Sequence, residues 1–232
     1  MARFFDPPAP KQPRPSEKVP EVFNSMRWRV FIGAFLGYAG YYLVRKNLSL
    51  AAPDMIESGI LDAGKVGLAM SAVSIAYAFS KFIMGSVSDR SDSRKFLCVG
   101  LVLSALIMIL TGVFPYGANT ALNTTIIFVL MLVVGWLSGM GWPPCGRIMT
   151  HWFSQNERSF KMSIWNVSHT IGSFSLGFLA IAGVSLFVLF APTFGMDASQ
   201  AWRGNFIFPA VVAIVIAIFC WWAIRDTPES CG

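Results

Sequence analysis

Six long apolar segments decide what this chain can fold into. They cover residues 28–52, 64–87, 96–115, 124–145, 160–190 and 203–224. A helix needs about 20 mainly apolar residues to cross the hydrocarbon core of a bilayer, and each segment supplies a stretch of roughly that length. Only 13% of the residues are charged, against about a quarter in an ordinary soluble protein. The pattern predicts an all-α integral membrane protein with a bundle of six transmembrane helices at residues 28–224.

The residues before the bundle, 1–27, are predicted to form a cytoplasmic tail. Prolines and scattered charges fill this stretch as far as Asn24. Such a composition is typical of an unfolded segment and not of a cleavable signal peptide.

Basic side chains are distributed unevenly between the two ends of the predicted bundle. The first, third and fifth connections hold only Lys65 and Arg203. The tails and the second and fourth connections hold Arg3, Lys11, Arg14, Lys18, Arg27, Arg29, Arg90, Arg94, Lys95, Arg147, Arg158, Lys161 and Arg225. Because Lys and Arg are retained on the cytoplasmic side, both termini of this segment are predicted to be cytoplasmic.

Three basic residues, Arg45, Lys46 and Lys81, lie inside apolar segments, whereas all twelve acidic residues can be placed outside them. A charge in the bilayer costs about 2.5–3.5 kcal/mol on insertion scales, so it is normally paired or turned towards a water-filled cavity. With no carboxylate to pair with, these cations predict a bound anion. The alternative is that all three side chains snorkel to the membrane surface.

Aromatic residues stand beside these polar groups at helical spacing. Tyr38, Tyr41 and Tyr42 precede Arg45 on one predicted helix face, Tyr77 is four residues before Lys81, and Trp165 is four residues before His169. Residues three or four apart are neighbours on a helix, so an aromatic ring accompanies a cationic or titratable group three times. For His169 the alternative is a hydrogen bond to a main-chain carbonyl of a neighbouring helix.

Two pairs of glycines four residues apart predict close helix packing. Gly33 and Gly37 lie in the first apolar segment, and Gly135 and Gly139 lie in the fourth. Small residues at this spacing let membrane helices approach closely. Since the first and fourth helices are equivalent in a bundle of two three-helix units, the pairs also fit a 3+3 inverted repeat.

The residue patterns of soluble enzymes and metal sites are missing from the sequence. The four cysteines have no metal-ligand spacing, the two histidines form no His-Glu-x-x-His pattern, and there is no Gly-rich phosphate loop. We expect no enzyme activity, no catalytic residues, no metal and no cofactor.

The connection from Gly85 to Lys95 is a short polar turn with the pattern Gly-x-x-x-Asp-Arg-x-x-x-Arg-Lys. Asp89 could accept hydrogen bonds from a helix N-terminus or pair with a basic residue, and so join helix ends. The alternative is a plain solvated turn. The pattern resembles the signature loop of the major facilitator superfamily, which identifies Gly85, Asp89, Arg90 and Arg94 as a conformational loop.

Five blocks extend the resemblance over nearly the whole chain. They are residues 41–47 (YYLVRKN), 79–90 (FSKFIMGSVSDR), 139–147 (GMGWPPCGR), 163–169 (SIWNVSH) and 225–232 (RDTPESCG). All five resemble the organophosphate:phosphate antiporters, and in particular the N-terminal half of bacterial members that carry glycerol 3-phosphate.

The resemblance implies exchange of glycerol 3-phosphate for inorganic phosphate by alternating access, in the bacterial inner membrane. The phosphate-binding arginine of the family corresponds to Arg45, its cavity lysine to Lys81 and its histidine to His169. The other residues implied to line the cavity are Tyr38, Tyr42, Lys46, Tyr77, Trp142 and Trp165.

The family has two six-helix halves, so the resemblance also implies that this chain is truncated. Residues 225–232 would begin the central cytoplasmic loop, and the C-terminal half would be missing. The expected partners are therefore organophosphate and inorganic phosphate anions, the lipid bilayer and that second half, with no nucleic acid.

Three other functions remain open at this point. Hexose phosphates or phosphoglycerate could replace glycerol 3-phosphate as the substrate. The protein could be a transporter-like sensor that binds a sugar phosphate and signals to a kinase. It could also be a structural six-helix membrane protein whose cations only snorkel.

Overall fold

The fold is given by a computed structural model that describes residues 2–13, 15, 17 and 19–231. Arg14 and Lys18, assigned above to the cytoplasmic side, lie outside the described residues, as do Met1 and Gly232 of the predicted tail and loop. The side chain of Arg3 is likewise outside the description.

The described residues are almost entirely helical. The α-helices are α1 (Ala2–Phe5), α2 (Val19–Leu43), α3 (Asn47–Glu57), α4 (Ala63–Ser88), α5 (Ser93–Val113), α6 (Thr120–Ser138), α7 (Trp142–Trp152), α8 (Gln155–Asn166), α9 (Ser168–Phe190) and α10 (Gly204–Ala223). Short 3-10 helices cover Ala191–Phe194, Ala198–Arg203 and Pro228–Ser230.

Five of the six predicted spans are confirmed among the described residues. The segments long and apolar enough to cross a membrane are Ala63–Ser88, Ser93–Val113, Thr120–Trp152, Gln155–Thr193 and Ala198–Ala223. The first predicted span is not among them. Its helix, α2, carries Arg27 and Arg29 ahead of the apolar stretch and ends at Leu43, so the uninterrupted apolar length is short.

The first apolar segment is a broken helix. α2 ends at Leu43 and α3 begins at Asn47, so Arg45 and Lys46 lie in the turn between them. The buried Asn47 donates a hydrogen bond from Nδ2 to the main-chain oxygen of Asn205 at 2.8 Å. This bond fixes the start of α3 against α10.

The N-terminal tail is more ordered than its composition predicts. α2 begins at Val19, before the predicted end of the unfolded tail at Asn24. The Phe5 carbonyl accepts a hydrogen bond from the Asp92 main-chain N–H at 2.7 Å, and the Lys11 N–H donates to the Glu229 carbonyl at 2.9 Å. These main-chain bonds tie the tail to the end of the bundle that carries most of the basic residues, here called the basic end.

The fourth and fifth apolar segments are also interrupted. α6 ends at Ser138, and α7 starts at Trp142 with prolines in its first turn, where a missing N–H costs no hydrogen bond. α8 and α9 meet at Val167. These breaks place Trp142 at the first residue of α7 and His169 at the second residue of α9.

The glycine pairs lie where helices touch, as predicted. A Cβ at Gly135 would fall on the main-chain carbonyl of Val73, and one at Gly139 on the side chain of Ser80. α6 and α4 therefore approach to backbone contact. A Cβ at Gly33 or Gly37 would likewise press on side chains of α5, α10 or the residue after it.

A carboxylate joins helix ends at the basic end of the bundle, but it belongs to Asp226, whereas the sequence analysis selected Asp89. Asp226 accepts hydrogen bonds from the Ser93 N–H at 2.9 Å and from Arg147 Nη2 at 3.1 Å. Asp92 caps α5 by accepting from the Arg94 N–H at 2.9 Å. Asp89 contributes its main-chain carbonyl, which accepts from Arg147 Nη1. Among the described residues the Asp89 carboxylate has no ion pair, as in the alternative of a solvated turn, and Asp92, directly before α5, caps that helix in its place.

Candidate anion-binding site

Arg45 lies against two tyrosine rings. Its Cζ is 3.6 Å from the centre of the Tyr77 ring on α4 and 5.1 Å from that of Tyr42 on α2. The break after Leu43 lets the side chain turn across to α4. A ring face attracts a guanidinium but leaves its formal charge and its N–H donors available for an anion.

Lys81 lies between two aromatic rings in the same way. Its Nζ is 4.8 Å from the centre of the Trp142 ring on α7 and 5.8 Å from that of Tyr77. Tyr77 thus contacts both Lys81 and Arg45 and joins the two cations across α4.

A run of ring contacts connects these cations to the fifth apolar segment. Trp142 and Trp165 have centroids 6.4 Å apart, Trp165 and Tyr38 are at 4.7 Å, and Tyr38 and Tyr42 are at 5.5 Å. Trp165 is 1% exposed and donates from Nε1 to the Ala34 carbonyl at 3.2 Å. That bond anchors the ring in the contact between α2 and α8.

His169 is at the far end of the same run. Its ring centroid is 5.7 Å from that of Tyr42, and its Nδ1 contacts the main-chain oxygen of Asn166. This contact is local, to a residue three positions earlier in the same apolar segment, and is not the bond to a neighbouring helix that was considered above as the alternative. It comes from the end of α8 and leaves the Nε2 edge near Thr170, at 3.4 Å.

The prediction for Tyr41 is wrong. This side chain is 1% exposed and its hydroxyl donates to the Leu97 carbonyl at 2.8 Å, so it faces the core between α2 and α5. The spacing rule holds only within a continuous helix, and Arg45 lies beyond the end of α2.

Lys46 lines a neighbouring cavity and makes none of these ring contacts. This cavity has a volume of about 430 Å³ and is shared by Arg45, with Ser49, Ser71 and Ser74 on its walls. Hydroxyl groups beside two cations make this a polar space on the side of Arg45 away from Lys81.

A second cavity, of about 650 Å³, opens on the other side of Lys81. Its walls include Asp89, Trp142, Arg147 and His151. Sequence reasoning placed Arg147 in a connection and did not select His151. The spacing Arg147-x-x-x-His151 on one helix was a signal, since residues four apart share a face.

The cations of the candidate site have no acidic partner in the described part of the chain. The ion pairs there are Arg27–Glu157, Arg94–Asp92, Lys95–Asp92 and Arg147–Asp226. Arg45, Lys46 and Lys81 belong to none of them. The aromatic run and its two cations therefore form a positively charged surface built from α2, α4, α7, α8, α9 and the turn before α3.

The chain is similar to known transporters over nearly its whole length. The Major Facilitator Superfamily profile matches residues 5–230. The glycerol-3-phosphate transporter of Bacillus subtilis is 46% identical over 232 residues, which is 100% of this chain and 49% of that protein. The glycerol-3-phosphate transporter of Haemophilus influenzae is 42% identical over 220 residues, 94% of this chain and 45% of that protein.

A solved structure shares the fold. The inward-facing, unoccupied crystal structure of a bacterial homologue of the human lysosomal transporter Spinster superposes with a TM-score of 0.74 at 17% identity, covering 88% of this chain and 44% of that one. The chain thus spans about half the length of the relatives that it matches. It belongs to the Major Facilitator Superfamily, a family of multi-pass membrane transporters and not of enzymes.

Proposed function

We propose that this chain forms one wall of a transporter that exchanges glycerol 3-phosphate for inorganic phosphate by alternating access. The observation that carries the proposal is the contact of Arg45 and Lys81 with the same Tyr77 ring, with no acidic partner for either cation in the described part of the chain. Two relatives named for glycerol 3-phosphate supply the substrate.

Each residue has a role in this proposal. Arg45 binds the phosphate group, because a planar guanidinium matches two phosphate oxygens at once. Lys81 adds a second positive charge, and Lys46 raises the potential of the adjoining cavity. Tyr42, Tyr77 and Trp142 hold the cations in place, and Tyr38 and Trp165 continue the run of rings along the path. His169, whose ring lies beside that of Tyr42, adds a polar group at the far end of the path.

The driving force for the conformational cycle follows from charge. An empty cationic cavity repels itself and resists closing, and a bound anion removes that repulsion. The second wall would come from another bundle, of the kind that the remaining length of the relatives could form. Gly85, Asp89, Arg90 and Arg94 would belong to the loop that moves at the basic end, with both termini of this segment in the cytoplasm and the bundle in the bacterial inner membrane.

Calorimetric titration of glycerol 3-phosphate and of inorganic phosphate into the detergent-purified chain tests the binding role. Charge-assisted hydrogen bonds contribute about 1.5–3 kcal/mol, so Arg45→Ala should weaken binding by about 10- to 100-fold. The matched control is Lys65→Ala, which removes an exposed cation at the start of α4, far along that helix from Tyr77 and Lys81.

Equal affinity of Arg45→Ala and the unchanged chain would remove Arg45 from the phosphate site. Exchange itself is measured in proteoliposomes loaded with inorganic phosphate, using the protein in which this chain is joined to its second bundle. There Arg45→Lys should slow uptake of glycerol 3-phosphate, because an ammonium cannot bind two oxygens in a plane.

A further inference from the structure

Three arginines gather around the last turn of α10 at the basic end. The Cζ of Arg94 is 5.0 Å from the centre of the Trp221 ring, and the Cζ of Arg29 is 4.9 Å from that of Trp222. Arg225 follows the helix, and its Nη1 donates to the Trp222 carbonyl at 2.9 Å. Two adjacent tryptophans therefore organise guanidinium groups from α2, α5 and the segment after α10.

The positive charge of this cluster is only partly neutralised. Arg94 Nη2 is 3.8 Å from Asp92 Oδ2, beyond hydrogen-bond distance, and the same carboxylate is 3.6 Å from Lys95 Nζ. The Nε of Arg29 is buried without a hydrogen-bond partner among the described residues. Burial, followed by the fields of Arg94 and Arg29, lowers the pKa of Arg225. The guanidiniums thus repel one another in a sheltered place, which favours an anionic ligand.

An apolar groove of about 380 Å³ leads away from the cluster between α5 and α10. Val99 and Leu103 form one side, Ala217 and Ile218 the other, and Trp221 closes the end next to Arg94. Leu103 is 42% exposed and Ile218 is 66% exposed, so the groove opens sideways towards the space that a bilayer would occupy. Neither α5 nor α10 contributes a side chain to the candidate anion-binding site.

We propose that the cluster and the groove together bind one anionic glycerophospholipid of the leaflet at the basic end. The phosphate group lies between Arg94 and Arg225, with Arg29 adding positive potential, and an acyl chain lies along the groove. Arginine suits a phosphate diester because two of its N–H groups can bind two oxygens. Free organic phosphates share the headgroup chemistry, but only a lipid also fills the apolar groove.

The test is native mass spectrometry of the detergent-purified chain with dioleoyl phosphatidylglycerol and, separately, dioleoyl phosphatidylcholine. Each basic residue near a membrane surface changes affinity for anionic lipid about fivefold. Arg94→Gln should therefore reduce phosphatidylglycerol binding about fivefold, and Arg94→Gln with Arg225→Gln about 25-fold. The zwitterionic lipid should bind weakly and change little. Arg90→Gln is the matched control, since it removes the same charge only four residues earlier, from the exposed turn between α4 and α5.

Further arms separate this site from a general charge effect and from a soluble-phosphate site. Arg94→Lys with Arg225→Lys keeps both charges but loses the paired N–H groups, so it should bind phosphatidylglycerol more weakly than the unchanged chain and more tightly than the double Gln variant. Dihexanoyl phosphatidylglycerol should bind more weakly than the dioleoyl lipid because its chains are too short to fill the groove. Equal loss in Arg90→Gln, no preference for the anionic lipid, or full displacement by glycerol 3-phosphate would overturn the proposal.

Discussion

At the scale of single residues, the candidate site holds its cations with rings in place of carboxylates. A carboxylate at 3 Å would neutralise Arg45 and compete with any anionic ligand. The Tyr77 ring, with its centre 3.6 Å from the guanidinium carbon, stabilises the charge without cancelling it. Arg45 is thereby held in position and remains able to bind an anion.

Tyr77 should act through its ring and not through its hydroxyl. Cation–π contacts contribute about 0.5–2 kcal/mol, so Tyr77→Leu should weaken phosphate binding about two- to thirtyfold by leaving Arg45 and Lys81 less ordered. Tyr77→Phe keeps the ring and should stay within about twofold of the unchanged chain. Calorimetric titration with inorganic phosphate measures both. If the Phe variant loses as much affinity as the Leu variant, the hydroxyl carries the effect and the ring contact does not.

At the scale of helices, the breaks in the first, fourth and fifth apolar segments decide where the polar side chains point. Residues 44–46 carry Arg45 and Lys46, α7 starts with Trp142, and His169 follows the junction at Val167. A turn leaves main-chain groups without helical partners, so such breaks persist in a membrane protein only where the protein itself or a cavity satisfies them. Ser49 provides one such compensation, since its main-chain N–H and its hydroxyl both donate to the Lys46 carbonyl in the turn.

The sequence was informative about charge and packing and uninformative about these breaks. The aromatic spacing before Lys81 and the glycine pairs correspond to contacts in the structure, and the three cations have no acidic partner among the described residues. The ring that His169 contacts is that of Tyr42, on another helix, whereas the spacing predicted Trp165. Apolar residues continue through Val44 in the first segment and past Val167 in the fifth. The apolar pattern alone therefore predicted one helix in each of these segments, where the structure has two. The error at Tyr41 has the same origin, since its relation to Arg45 assumed a helix that ends at Leu43. The role of Asp226 depends on contacts with Ser93 and Arg147, which are distant in sequence, so no local pattern contains it.

Gly135 should be essential to the contact of α6 with α4 in a way that Gly67 is not. A Cβ at Gly135 would fall on the Val73 carbonyl, whereas a Cβ at Gly67 has open space around it. Overpacking costs about 1–3 kcal/mol, so Gly135→Ala should lower the free energy of unfolding by that amount. Gly67→Ala should be neutral or stabilising by up to about 1 kcal/mol, because Ala has the higher helix propensity.

Thermal unfolding of both variants in the same detergent measures this difference as a change in Tm. The two substitutions are chemically identical and both lie within long helices, α6 and α4, so intrinsic helix propensity cannot separate them. An unchanged Tm for Gly135→Ala would mean that the two helices can move apart at no cost.

At the scale of the whole molecule, the two ends of the bundle differ in charge and in construction. The basic end joins α5, α7 and the segment after α10 through Asp226, and the N-terminal tail bonds to the same region. At the other end, Arg203 donates to the carbonyls of Gly112 and Phe114 and closes the contact of α10 with the end of α5. The candidate cations lie between these two tied ends, on a surface that a second bundle could cover.

The charge difference predicts which end faces the cytoplasm, and single cysteines can test it. In a chain carrying Cys231→Ser, the cysteines Cys98, Cys145 and Cys220 are buried, so an impermeant maleimide should react mainly with an added thiol. Gly117→Cys, between α5 and α6, should be labelled in intact spheroplasts, because that connection is predicted to be extracellular. Arg90→Cys, in the exposed connection between α4 and α5, should react only after the membrane is permeabilised. Both variants should label fully in detergent, which controls for thiol reactivity, and the reverse pattern in spheroplasts would invert the orientation of the bundle.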